Sequence, residues 1–301
     1  MEGVLHPTDL LKTALIATCL LLMIQAVRMC YLVCDFLTYQ MFSKPHIRKI
    51  EEKFNKLRVA GDPDTNRSTK GFQVIVCGFP RTGTTSMILA LHVLGFKCFH
   101  GAHTFNPRNV FVLDSAFKYE TKVHWEKLLD GFNGISDWPG ACAYKKLMDL
   151  FPHAKIILTT RDPKKWYKSY LVAIGGAKSP YKHIFKLIYP GSLRCMDRNF
   201  QKVMSSNDMD EDACIKCYEN HNADVIENVS SQRLLVYNFE NDEGWRPLCE
   251  FLEVPCPAIP FPSANNQASF NTFVRKAFIV RATIMVFYLL FILLCTIFIL
   301  F

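Results

Sequence analysis

Phe72-Gln-Val-Ile-Val-Cys77 runs directly into Gly78-Phe-Pro-Arg-Thr-Gly-Thr-Thr-Ser86. The first six residues are β-rich and the positions 84–94 carry helical periodicity, so the stretch reads as strand, glycine-bounded loop and helix. Glycine at both ends of the loop allows a tight turn and close backbone approach. Successive N–H groups and the helix N-terminus can then face an anion. Working outward, the alternation continues. Lys97-Cys-Phe-His100 reads as a second strand, 119–129 as a helix, Gly134-Ile-Ser-Asp137 as a short strand end and 141–151 as a helix. Lys155-Ile-Ile-Leu-Thr-Thr160 is a clear strand, with Pro163 placed to open the next helix. Further on, 211–228 is helical, 233–237 a strand and 245–252 a helix. Repeated β-α units predict an α/β fold, a parallel sheet with helices on both faces. Ligands of such sheets bind at the carboxyl ends of the strands.

Composition sets the frame for this domain. The 301 residues are 50% hydrophobic and 21% charged, with 14 Gly and 15 Pro, which excludes disordered and collagen-like chains. Some of the apolar material is not distributed like core. Residues 282–301 carry no charge, and twenty residues at about 1.5 Å each span a hydrocarbon layer of roughly 30 Å. A transmembrane helix is therefore expected over 277–301. Residues 13–27 are also uncharged, and read as a second span or a helix lying in the membrane interface. A cleaved signal peptide fits poorly, because Glu2 and Asp9 lead and no small-x-small site follows. Arg28, Lys44, Arg48 and Lys49 follow the first segment, and Arg275, Lys276 and Arg281 precede the second. That bias puts the soluble domain in the cytosol. The triplets Asn66-Arg-Ser68 and Asn228-Val-Ser230 would instead be used on a luminal Golgi or ER face. The division expected is a hydrophobic segment 1–43, a linker 44–70, an α/β domain 71–263, a juxtamembrane linker 264–276 and the span 277–301. Of 12 cysteines, four lie in the hydrophobic ends, and Cys214-x-x-Cys217 lacks a second ligand pair, so no metal is expected.

The loop has the spacing of the nucleotide-binding G-x-x-x-x-G-K-[ST], but Thr84 replaces the lysine that reaches β/γ-phosphates in kinases and NTPases. Its only cation is Arg81. No long apolar strand ends in a Walker-type Asp, since Thr160 is followed by Arg161. These features weigh against a kinase or NTPase, which would need ATP and Mg²⁺. The anion cradle remains.

Pro80-Arg-Thr-Gly-Thr-Thr85 resembles the Pro-Lys-Ser-Gly-Thr-Thr loop of the P-loop sulfotransferases, which use 3′-phosphoadenosine-5′-phosphosulfate (PAPS). Arg161-Asp-Pro-Lys-Lys-Trp-Tyr-Lys-Ser169 likewise resembles the strand–loop–helix by which that family holds the 3′-phosphate. The closer likeness is to a poorly characterised branch with an Arg-Thr-Gly-Thr loop. The chain shares that branch's Asp137-Trp-Pro139 and its closing Gly244-Trp-Arg-Pro-Leu-Cys-Glu-Phe-Leu252, over roughly two-thirds of its length. The resemblance implies that amides of Thr82, Gly83, Thr84, Thr85 and Ser86, with the last three hydroxyls, hold the 5′-phosphate. It implies that Arg161 and Ser169 hold the 3′-phosphate. Arg81 stands where the family's bridging lysine would be, a fixed cation able to stabilise the leaving oxygen but not to protonate it.

An acceptor proton needs a base. His100 closes the second strand, where the related branch also tends to carry His, and Asp137 ends another strand. Asp137 could equally cap the helix that follows or anchor Arg81. His103 and His124 read as surface or supporting residues. Between Lys155 and Lys202 eleven Lys/Arg face two acids, a balance that would steer an anionic donor or simply meet water or anionic lipid. The stretch 177–192 mixes apolar and lysine residues and reads as a lid over the acceptor. The expected function is membrane-anchored transfer of a sulfuryl group from PAPS to a hydroxyl or amine acceptor, lipid-like given the span. The alternatives are a catalytically inert PAPS- or nucleotide-binding membrane protein and a P-loop kinase. Dispersed aromatics give no nucleic-acid surface.

Overall fold

Five strands pair side by side, all parallel: β1 (Val74–Val76), β2 (Cys98–Phe99), β3 (Gly134–Ile135), β4 (Lys155–Thr160) and β5 (Leu234–Asn238). Their order is β2-β3-β1-β4-β5. Ile75 lies opposite Ile135 on one side and Ile156 on the other, and Ile156 lies opposite Leu234. This is a computed structural model, and it describes residues 71–173, 190–204, 210–241 and 244–263, with isolated positions towards both ends.

The described helices are α1 (Thr84–Val93), α2 (Pro107–Tyr119), α3 (Lys122–Leu128), α4 (Trp138–Leu150), α5 (Pro163–Ala173), α6 (Pro190–Met204), α7 (Glu211–Asn228) and α8 (Arg246–Leu252). Side chains alternate along a strand, so a central parallel strand feeds two cores. Ile75, Cys77, Ile156 and Leu158 join Leu113, Trp125, Trp166 and Tyr218 on one face, beneath α2 to α7. Val74, Val76 and Ile157 join Met87, Leu91 and Leu248 on the other, beneath α1 and α8. Val74, Ile75 and Val76 have no exposed surface, and each such side chain stabilises the fold by about 1.5–3 kcal/mol.

Local signals set the helix ends. Asn106 caps α2 by accepting from the Arg108 N–H at 3.0 Å, and Asp210 caps α7 by accepting from the Ala213 N–H at 3.3 Å. Glu211 and Asp212 place negative charge in the first turn of α7. Two expectations are corrected. The helix expected over 119–129 is α3 and starts at Lys122, because Tyr119 ends a separate helix, α2, which Glu120 closes by turning left-handed (φ 52°). Helix α4 begins at Trp138, three residues early, with Pro139 in its first turn.

The hydrophobic segments expected over 13–27 and 277–301 lie outside the described residues apart from single positions, as does most of the expected lid over 177–192. Among the described residues no helix is long and apolar enough to cross a membrane.

Gly140 lets the first turn of α4 rest on β1. A Cβ added there would lie 2.4 Å from the Val76 carbonyl oxygen. Gly140→Ala is therefore expected to lower unfolding free energy by about 1–3 kcal/mol in urea titrations.

Candidate functional site

Every strand ends on residues with chemistry to offer. β1 gives way to the loop 78–86, β2 to His100, β3 to Asp137, β4 to Arg161 and β5 to Phe239 and Glu240. In a parallel sheet these ends share one edge, and the chain's change of direction between β1 and β4 opens a crevice there.

The loop is held from inside. Gly78 is pressed against β4, where an added Cβ would lie 2.0 Å from Thr159 Oγ1. Phe79 is fully buried, stacked on His221 with ring centroids 4.2 Å apart and edge-on to Phe200. The Thr82 hydroxyl donates to the Phe79 carbonyl at 2.7 Å and meets the Thr159 hydroxyl at 2.6 Å. Its amide also donates to the Phe79 carbonyl, so Thr82 serves the loop's own shape. Arg81 and Gly83 are both left-handed, at φ 76° and 93°, a conformation costing a non-glycine residue on the order of 1 kcal/mol or more. The first helical bond of α1 runs from the Met87 N–H to the Gly83 carbonyl at 3.0 Å. The Thr84, Thr85 and Ser86 amides precede it and have no acceptor one turn back within the helix. Thr84 and Ser86 are buried and Thr85 half-buried.

The cationic side lies across the crevice. Arg81 Nε donates to Ser169 Oγ on α5 at 3.1 Å. Burial pulls the Arg81 guanidinium below its ordinary pKa, Asp137 opposes that pull and Arg161 adds to it. The three charges therefore sense one another. Glu240 takes the far end: its carboxylate lies 3.7 Å from Arg161 Nε and 3.1 Å from Lys165 Nζ, and the Asp162 N–H donates to it at 3.4 Å.

His100 and Asp137 meet on the opposite flank. His100 Nε2 lies 3.6 Å from Asp137 Oδ2, with the two side chains 18% and 15% exposed. His100 Nδ1 accepts from the Ala102 N–H at 3.0 Å, and the His100 N–H donates to His103 Nδ1 at 2.9 Å. Asp137 is left-handed in φ (66°) with ψ −158°, a backbone region that strongly favours glycine. Its carboxylate sits over Gly101, where an added Cβ would lie 2.3 Å from Oδ2.

Arg81, His100, Asp137 and Arg161 thus follow strand carboxyl ends, and Ser169 on α5 joins them through its hydrogen bond with Arg81. His103 is half-buried and supports His100: it stacks on Phe99 at 5.2 Å, and burial pushes its pKa down to about 4. His124 is half-buried and bonded to Thr121 at 2.6 Å. Cys214 is buried, the Cys217 thiol donates to the Met204 carbonyl, and no group of three or more potential ligands is arranged for a metal among the described residues.

Four supporting residues were not singled out from the sequence. Tyr218 accepts from the Arg161 N–H at 2.9 Å and donates to the Arg161 carbonyl at 3.0 Å. Trp166, stacked on Tyr218 at 4.5 Å, donates from Nε1 to the Pro80 carbonyl at 3.0 Å. His221 contacts the Cys77 carbonyl at 2.8 Å, and since a carbonyl only accepts, the proton is on Nε2. Glu240 is the fourth. In sequence, Tyr218 and His221 carry only the three-residue spacing of a buried helix face, with Cys214 and Val225, and nothing there announces a polar task.

A family model described as "Sulfotransferase domain" matches residues 73–270. The chain belongs to this sulfotransferase family. It is also similar to "Ava biosynthesis cluster protein M" of Aspergillus versicolor, 26% identical over 208 residues that make up 63% of this chain and 79% of that protein.

Burial lowers the pKa of His100, His103 and His221. The fold keeps these rings neutral while an unfolded chain protonates them near pH 6.5, so below that pH the unfolded state binds more protons. Stability should be full above about pH 6.5 and fall as pH drops towards 4. His103→Asn, which can still accept from the His100 N–H, should flatten that slope in urea midpoints measured at pH 7, 5.5 and 4.5.

Proposed function

We propose that this protein is a membrane-anchored sulfotransferase that moves a sulfuryl group from PAPS to a hydroxyl or amine acceptor. Family membership supports sulfuryl transfer. The observation that carries the choice of donor is the Arg81–Ser169 hydrogen bond. It joins the phosphate loop to the helix that follows Arg161, so two anion-binding elements 88 residues apart serve one crevice. The residues present suit a donor with phosphates at both ends. The first-turn amides of α1 and the hydroxyls of Thr84, Thr85 and Ser86 would take the 5′-phosphate. Arg161, with Ser169 and Lys165, would take the 3′-phosphate. PAPS when bound supplies the electrophilic sulfur. The chain holds it in line with the acceptor, neutralises the leaving phosphate through Arg81 and offers His100 and Asp137 to the acceptor side.

Two observations support the anchor: the uncharged run 282–301, and the described helical residues Ile279, Val286, Phe287 and Leu290, each exposed by half or more of its area. A membrane-held domain suits a lipid-like acceptor, and the flanking Lys and Arg favour a cytosolic face. One feature favours a catalytically silent PAPS binder instead, namely that an arginine, already bonded to Ser169, stands in the lysine's place.

Titration calorimetry of the detergent-solubilised chain with 3′-phosphoadenosine 5′-phosphate (PAP) tests the donor. Binding should weaken at least tenfold in Arg161→Ala, a loss of about 1.4 kcal/mol or more, and ATP should bind more weakly than PAP. ATP binding as tight as PAP would remove this reading. Deleting both 1–43 and 277–301 should release the protein from alkaline-washed membranes.

A further inference from the structure

We infer that Asp137 is the proton acceptor of the reaction and that His100 is a fixed hydrogen-bond donor beside it. The inference rests on the sulfuryl-transfer reading above and divides its two strand-end candidates by tautomer. The Ala102 N–H can only donate, so at 3.0 Å it requires a lone pair on His100 Nδ1. A neutral imidazole then carries its proton on Nε2. That nitrogen is buried, has no hydrogen-bond partner and lies 3.6 Å from Asp137 Oδ2. Having no lone pair there, His100 cannot take a proton from an acceptor on the Asp137 side. Taking one at Nδ1 would break the bond that starts the 3₁₀ turn Gly101–Phe105.

Asp137 has the lone pairs that His100 lacks, and its simpler role is absent. Although it precedes α4, its side chain makes no capping hydrogen bond to that helix. The main chain holds it instead: its carbonyl accepts from the Ala141 N–H at 2.9 Å, and Gly101 leaves room for the carboxylate. A non-glycine residue kept at φ 66° and partly open to solvent marks a position where side-chain placement outweighs backbone cost. In the step, Asp137 takes the O–H or N–H proton as the acceptor atom bonds to sulfur. The bond from sulfur to the 5′-phosphate oxygen breaks, and its electron pair leaves on that oxygen beside Arg81. The Nε2–H of His100 donates to oxygen in the space it shares with Asp137, and the proton on Asp137 passes to water once product leaves.

The full chain, labelled with ¹⁵N-histidine in detergent, tests this without an acceptor. Long-range ¹H–¹⁵N spectra at pH 7, with His100 assigned by its loss in His100→Asn, should show a neutral ring protonated on Nε2, with or without saturating PAP. A ring protonated on Nδ1, or on both nitrogens, overturns the inference. The Asn variant keeps an acceptor for the Ala102 N–H and removes the N–H at the Nε2 position, which its shorter amide does not reach. Turnover of PAPS with a simple phenol should fall about 10³-fold in Asp137→Asn and by about tenfold in His100→Asn, with PAP affinity within about twofold of the parent in both. The opposite ranking would make His100 the base. Failure of the parent chain to bind PAP would instead remove the sulfuryl-transfer reading and leave the tautomer standing.

Discussion

Two side chains of one helix hold the ends of two adjacent strands. Tyr218 and His221, three residues apart on α7, reach the Arg161 backbone after β4 and the Cys77 carbonyl after β1. Both loops of the crevice start at those points, so their separation is set by a helix that touches no solvent on this face. Each bond satisfies backbone groups that would otherwise be buried without partners, where a missing hydrogen bond costs about 1–3 kcal/mol. The aromatic group of Phe79, Trp166, Tyr218 and Phe200 fills the space between, and Trp166 adds a third tie through Pro80. The loops are therefore anchored in a packed core rather than suspended above it.

That anchoring allows strain to persist. Arg81 and Asp137 both hold left-handed backbone at the crevice, and neither is glycine. Such residues relax unless their surroundings prevent it. Around Arg81 the restraint comes from the buried Phe79 and the inward-turned Thr82. Around Asp137 it comes from α4 starting at once behind it and from the close approach over Gly101. Backbone held in this way fixes the positions of the charged side chains, which is what electrostatic preorganisation requires.

The sheet was legible because its signals are local. A β-rich run ending in glycine, a proline opening α5 and strand-end residues of distinct chemistry all stand in contiguous sequence. The same holds for the glycine-bounded loop 78–86 and for Arg161 with Ser169, whose residues and spacing carry the family likeness. Helix α2 was missed because Phe111 and Tyr119 lie exposed beside buried Leu113 and Ala116, which blurs the apolar stripe. The supporting residues were hidden for another reason. Tyr218 and His221 act through hydrogen bonds 57 and 144 residues away in the chain, and a polar tip on a buried helix face looks the same as ordinary core. The roles of His100 and Asp137 stayed level in the sequence because a tautomer depends on one backbone N–H.

Glu240 gives the crevice an internal counterion. An anion drawn to Arg161 and Lys165 meets cations that already share a carboxylate, so it exchanges one ion pair for another rather than capturing bare charge. Added salt weakens the old pairing together with the new one, and the two effects oppose each other in the net affinity. Anion affinity at this end of the crevice should therefore depend less on ionic strength than the number of basic side chains suggests.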